Sequence, residues 1–117
     1  MKLEVGIYVR SKNGAIAKIE QIVDNEIRFN IKPIFSDSEE FGYNWLYIKE
    51  VIKASHNIID LIEVGDYVNG YKVCKISKHK GVIELYIDND GFSSIWAGEI
   101  ETIVTKEQFE ARAYKVG

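Results

Sequence analysis

The amino-acid sequence predicts a mainly β protein built as two copies of one small unit. Residues 4–19, EVGIYVRSKNGAIAKI, and residues 63–76, EVGDYVNGYKVCKI, share the pattern Glu-Val-Gly-x-Tyr-Val followed by an Asn-Gly pair. Short runs with apolar residues at every second position recur through both halves, which is the period of a strand buried on one face. A hydroxyl residue able to cap a helical turn closes each half, Ser55 in one and Thr105 in the other. The units therefore span residues 1–60 and 61–117.

Tyr8 and Val9 lie in the first strand, and Tyr67 and Val68 in its counterpart. Asn13-Gly14 and Asn69-Gly70 then reverse the chain, because Asn-Gly tolerates the positive φ angles of a type I′ hairpin. The first copy has a longer arm before its turn, through Arg10, Ser11 and Lys12. Ala15-Ile16-Ala17-Lys18-Ile19 and Lys72-Val73-Cys74-Lys75-Ile76 read as the returning strands. Next, Ile27, Phe29 and Ile31 alternate with Glu26, Arg28 and Asn30, as Ile83, Leu85 and Ile87 alternate with Glu84 and Tyr86. Residues 88–91, DNDG, make a tight turn before a strand through Phe92, Ile95 and Trp96. Trp45-Leu46-Tyr47-Ile48 stands in the same place in the first half. Short strands follow through Val51-Ile52 and Ile103-Val104. Thr105 with Gln108 fits a capping box, so a helix is predicted over KEQFEARAY. The Ser55 copy has no Glu or Gln at that spacing, and a single short turn over HNIIDLI is expected.

Four or five short strands and a helical turn in under 60 residues describe a small, strongly bent barrel. The fold expected is a tandem of two SH3-like five-stranded barrels, since closing a sheet removes its exposed edges. Tyr8 with Tyr67, and Trp45 with Trp96, hold matched positions, which assigns them to the barrel wall or core. One stretch has no counterpart. Residues 32–44, KPIFSDSEEFGYN, form an inserted loop with the sole proline, Pro33, and with Asp37, Glu39 and Glu40 set between Phe35, Phe41 and Tyr43. Long loops tend to carry function.

The bulk properties exclude several classes. The chain has 117 residues, a formal charge of −3 and hydrophobic and charged shares of 46% and 28%, all ordinary for a packed globular protein. Residues 1–60 hold 8 basic and 9 acidic side chains, and residues 61–117 hold 7 and 9, so neither half is a basic nucleic-acid module. Cys74 is the only cysteine, which rules out an intramolecular disulfide and a cysteine-based zinc site. The start, MKLEVGIYVR, lacks the apolar core of a signal peptide, and no apolar stretch approaches the ~20 residues of a membrane span. A cytoplasmic protein is expected.

No residue cluster specifies a chemistry. His56 and His79 are in no metal or triad spacing, the carboxylates are scattered, and no Gly-rich phosphate loop is present. No catalysis, metal or cofactor is expected. Cys74 lies between Val73 and Lys75 in a strand, where a core or half-buried thiol is the ordinary reading. The densest basic stretch, Lys72, Lys75, Lys78, His79 and Lys80, is either a solvated turn or a contact for phosphates of a nucleotide or nucleic acid. In a regular strand Lys72 and Lys78 would share a face, with Lys75 on the other.

The segments EVGIYVRSKNGAIAKI, VIKASHNIIDLIEVGDYVNGYKV and IVTKEQFE together resemble a group of short proteins from phages and prophages of Firmicutes such as clostridia, with a duplicated EVGxYV segment. The resemblance covers most of the chain except residues 32–44 and 77–95, and it carries no catalytic or binding residues across. It implies a phage context, in which small non-enzymatic proteins bind and block host machinery. The expectation is therefore a non-catalytic protein that binds and inhibits a host protein, a defence component such as a CRISPR nuclease. Its surface would be the unrepeated loop with Phe35, Asp37, Glu39, Glu40, Phe41, Tyr43 and Trp45. One alternative is a small-ligand binder that sequesters a nucleotide signal through Lys72, Lys78, His79 and Lys80. Another is a nucleic-acid accessory protein, which the net charge disfavours. The sequence leaves the oligomeric state open.

Overall fold

A computed structural model describes residues 2–30, 43–87 and 93–112, with backbone alone at Asn30, Tyr43, Asn44 and Arg112. Residues 88–91 and Phe92, expected as a tight turn and a strand start, lie outside the described residues, as do Ile31 and the loop residues up to 42. The chain divides into two compact units, Met1–Leu61 and Ile62–Gly117. Among the described residues no helix is long and apolar enough to cross a membrane.

Unit 1 runs β1 (Tyr8–Ser11), β2 (Ile16–Lys18), β3 (Gln21–Val23), β4 (Glu26–Asn30), β5 (Tyr43–Tyr47), a 3-10 turn (Ile48–Glu50), β6 (Val51–Ser55) and a second 3-10 turn (Ile58–Leu61). Its strands form two three-stranded antiparallel sheets, ordered β2-β1-β6 and β3-β4-β5. Unit 2 repeats the plan with β7 (Tyr67–Val68), β8 (Tyr71–Lys72), β9 (Lys75–His79), β10 (Val82–Tyr86), β11 (Ser94–Trp96), a 3-10 turn (Ala97–Glu99), β12 (Ile103–Val104) and α1 (Lys106–Arg112). Its sheets are ordered β8-β7-β12 and β9-β10-β11. Among the described residues the ladders do not join into a closed barrel; each unit is a pair of small sheets.

The repeated Glu-Val-Gly is a tight turn that ties the two ends of each first sheet together. The Ile7 N–H donates to the Glu4 carbonyl at 3.2 Å, and the Asp66 N–H donates to the Glu63 carbonyl at 3.0 Å. Gly6 and Gly65 sit third in these turns with φ of +93° and +100°, where a side chain is strained and glycine is not. The same glycines donate to the carbonyls of Ile19 and Val73 at 2.8 and 2.9 Å. Ile19 and Val73 return bonds of 2.8 Å to the carbonyls of Ile7 and Asp66.

Immediately beyond that exchange the chain leaves one sheet for the other. Glu20 donates to Arg28 at 3.1 Å and Cys74 donates to Tyr86 at 2.7 Å, opening the second sheet of each unit. The run from Lys72 to Ile76, expected as one strand, is therefore broken at Val73 and Cys74. The Cys74 thiol is half-buried, with Sγ 3.6 Å from the Lys72 carbonyl and 3.7 Å from that of Ile87.

Of the two Asn-Gly turns, Asn69-Gly70 has both φ angles positive, 53° and 83°, as a type I′ hairpin requires. At Asn13-Gly14 only Gly14 is positive, and the turn is one residue longer: the Ser11 N–H donates to the Ala15 carbonyl at 2.9 Å. The Ser11 hydroxyl fills the widened loop by accepting from the Ala15 N–H at 3.1 Å.

Ile7, Val9, Ala17, Ile19, Ile27, Phe29 and Leu46 form the core of unit 1. Unit 2 buries Ile62, Val68, Val73, Leu85 and Ile95. Burial of one Val, Leu or Ile contributes about 1.5–3 kcal/mol, so a handful of such residues sets the stability of a unit this small. The capping box at the start of α1 forms as expected. The Gln108 N–H donates to Thr105 Oγ1 at 3.3 Å and the Thr105 N–H to Gln108 Oε1 at 3.1 Å. Buried Asp66 adds a further acceptor for the helix start, taking the Lys106 N–H at 2.9 Å. The Ser55 copy is a single short turn, in which Ser55 Oγ accepts the Asn57 N–H at 3.1 Å and pairs with the Asp60 carboxylate.

Candidate functional site

Side chains directly opposite in an antiparallel ladder share a face, so register decides what each sheet presents. In unit 1, Ile27 pairs with Ile22 and Leu46 and turns these side chains to the core. The other face then carries Glu26 opposite Val23 and Tyr47, and Arg28 opposite Gln21 and Trp45. Trp45 is 52% exposed and Tyr47 39%. Their rings meet edge to face at 5.0 Å and 77°, and Lys49 Nζ lies 5.5 Å from the Tyr47 ring centre. Arg28 and Glu26 make a loose ion pair of 3.5 Å beside them. Both partners are partly exposed, so this pair contributes little stability.

In unit 2 the register places Leu85 with Ile76 and Ile95 toward the core. The outer face presents three rows: His79 with Val82, Ser77 with Glu84 and Trp96, and Lys75 with Tyr86 and Ser94. Trp96 is 45% exposed and Val82 51%. Lys75 Nζ lies 5.5 Å from the Tyr86 ring centre. Glu84 accepts from the Tyr86 phenol and, helped by slight burial and by its own charge, holds the phenol above its usual pKa. The β9-β10 turn, Lys80-Gly81, has both φ angles positive (51° and 79°), the type I′ geometry again. The rows and this turn enclose a depression of about 460 Å³ that reaches from Lys80 to Trp96.

The residues expected from the sequence are partly brought together. His79 and Lys80 line the depression. Lys78 is one residue out of phase and leaves the sheet on the side of Ile83, while Lys72 ends β8 in the other sheet. His79 is a strand residue, and the turn is only Lys80 and Gly81, shorter than the solvated turn expected there. Of the loop surface, Phe35, Asp37, Glu39, Glu40 and Phe41 lie outside the described residues. Tyr43 begins β5, and Trp45 stands on the outer face of the hairpin that those residues connect.

Of the wall or core position expected for the tryptophans, the structure places both on strands and neither in the core. Trp96 opposes Glu84 and leads into a 3-10 turn; in unit 1 Tyr47, not Trp45, opposes Glu26 and leads into one. Both indoles are surface groups. The missed members of the unit 2 face, Ser77, Val82, Glu84 and Tyr86, alternate in sequence about the Lys80-Gly81 turn, and Trp96 joins them from β11 opposite Glu84. That alternation, read from a two-residue loop, would have found them.

Among the described residues no group of three or more His, Cys, Asp or Glu side chains is placed to hold a metal ion. No protein family, curated protein or solved structure matches the chain. Chemically, each second sheet offers exposed rings fixed by cross-strand neighbours with charged groups at the rim. Rigid aromatics ringed by polar groups are the usual composition of a binding hot spot.

Proposed function

We propose that the protein is a non-catalytic interaction protein, active in the cytoplasm, that binds a host protein through the outer face of the β3-β4-β5 sheet. The observation that carries this reading is the exposed Trp45–Tyr47 pair, 52% and 39% open to solvent, on the hairpin that bears the unrepeated acidic and aromatic residues. Exposed rings already locked against each other lose little conformational freedom on binding, which favours a partner surface over a solvated wall. The resemblance to phage proteins makes the partner a host defence component, a CRISPR nuclease being one example, and makes inhibition the outcome.

Each unit reads as an opened SH3-like barrel. The strand order supports this: a strand that changes sheet at Ile19–Glu20 or Val73–Cys74, and a 3-10 turn before the last strand. The experiment is capture of purified candidate nucleases and of host lysate proteins by the tagged full chain. The variant Trp45→Ala/Tyr47→Ala should retain its far-UV circular dichroism and weaken capture by about thirtyfold or more, the loss of one hot spot. Deletion of residues 34–43 should abolish capture. Undiminished capture by both variants refutes the proposal.

A further inference from the structure

The depression on the outer face of the β9-β10-β11 sheet belongs to unit 2 and is independent of the Trp45 face. Its volume of about 460 Å³ falls within the range of about 300–1,000 Å³ found for small-molecule sites. Two kinds of surface meet in it. Trp96 and Val82, 45% and 51% exposed, supply its apolar lining and are diagonal neighbours across β10 and β11. His79 and Lys80 close the end nearest the turn.

Charge decides what a ligand there should carry. Residues 61–117 hold 7 basic and 9 acidic side chains, yet Lys75, His79 and Lys80 stand on or beside this face with no acid among residues 75–80, while Lys78 leaves on the other side. Among the described residues Glu84 is the one carboxylate lining the depression, and it sits opposite Trp96 in the ladder. Neither Lys80 nor His79 is a partner in the ion pairs of Lys2 with Glu4, Arg28 with Glu26 or Lys106 with Glu63. Two lysines, Lys75 and Lys80, against one carboxylate, Glu84, leave the described outer face of a negative unit with a positive excess at its turn end and beside Tyr86, which complements an anion.

We infer that this depression binds a free nucleoside phosphate, its base stacked on the Trp96 indole over Val82 and its phosphate held by Lys80 and His79. A nucleic-acid strand fits less well. A polymer is held by a track of cations along its backbone, whereas here the cations end at the turn and the unit as a whole is negative. The inference replaces the lysine set expected from sequence: Lys72 and Lys78 do not take part.

The test uses the full chain with Trp45→Phe, which leaves Trp96 as the only indole. Fluorescence is titrated with AMP and GMP, and with adenosine and ribose 5-phosphate as halves of the ligand. Saturable quenching by a nucleotide, with each half about tenfold weaker or worse, is expected. Lys80→Asn removes the cation and keeps a type I′ turn, because Asn-Gly suits it, so the melting temperature should hold while affinity falls by about tenfold. His79→Gln should act in the same direction. Trp96→Leu, followed by calorimetry, should lose the site. The inference is overturned by absence of saturable quenching at millimolar nucleotide, by unchanged affinity in Lys80→Asn and His79→Gln, or by an oligonucleotide that outcompetes the mononucleotide with a salt dependence of several charges. Protein capture is measured separately, so either reading can fail alone.

Discussion

Arg10 carries its side chain into the interior of unit 1, with no exposed surface, and its Nη1 donates to the Leu61 carbonyl at 2.9 Å. It lies on the face of β1 opposite the core residue Val9, where the 3-10 turn Ile58–Leu61 covers it. The bond spans 51 residues of sequence and ties the end of the unit to its first strand. A hydrogen bond from a charged group is worth about 1.5–3 kcal/mol, because an unmet buried carbonyl is costly. Arg10→Met keeps the stem's packing and removes this donor. Urea unfolding should show a loss of about 2 kcal/mol, and a loss under 0.5 kcal/mol would mean that the carbonyl finds another partner. Nothing in the sequence marks Arg10 as buried. A charged residue at an alternating position reads as solvent-facing, and only the later turn that folds over it reverses the reading.

At the scale of elements, α1 is held to unit 2 by polar contacts at its first turn. Asp66 accepts the Lys106 backbone N–H, and Lys106 Nζ meets Glu63 at 2.8 Å. The Glu63 hydrogen bond raises the Lys106 pKa above 10.5, against the opposing effect of burial and with help from the charges of Glu63, Glu107 and Asp66. A lysine whose folded pKa is raised binds its proton more tightly in the folded state. Its contribution is therefore complete below the unfolded value and is lost as pH rises through the folded one. The stability difference between the protein and Lys106→Gln should be constant from pH 7 to about 10 and should shrink above that. Melting temperatures of both proteins across that range check it, and a difference that grows above pH 10 contradicts the assignment.

Elements also show what sequence reading captures and what it misses. The alternating runs, the repeated first strand and the Thr105 capping box are local patterns, and each was legible. The corner after Ile19 and Val73 was not, because apolar alternation continues through it: Ala17 and Ile19 both face inward, and so does Val73. A change of sheet is a matter of which strand supplies the next bond, and that partner lies far along the chain. The tryptophans misled for a related reason. Matching identical residues aligned Trp45 with Trp96, whereas the ladders align Tyr47 with Trp96.

For the molecule as a whole, each compact unit buries its own apolar set and carries its own exposed indole. The two tryptophans can therefore report on the units separately, each in a variant with the other changed to phenylalanine. Gly65→Ala places a side chain at φ +100°, beside the Lys106 stem. The strain costs about 1–2 kcal/mol. The transition seen by Trp96 should fall by several degrees, and by more than the transition seen by Trp45. An equal fall in both would show that the chain melts as one cooperative body.

Ile7 and Asp66 occupy the same backbone position, held by the same exchange with Ile19 and Val73. One side chain fills a core; the other caps a helix. Main-chain atoms and one glycine set that corner, so it places few demands on the side chain that follows. A repeated gene segment built on such corners can drift in its side chains without losing its frame. Two copies that begin alike are then free to acquire unlike ligands.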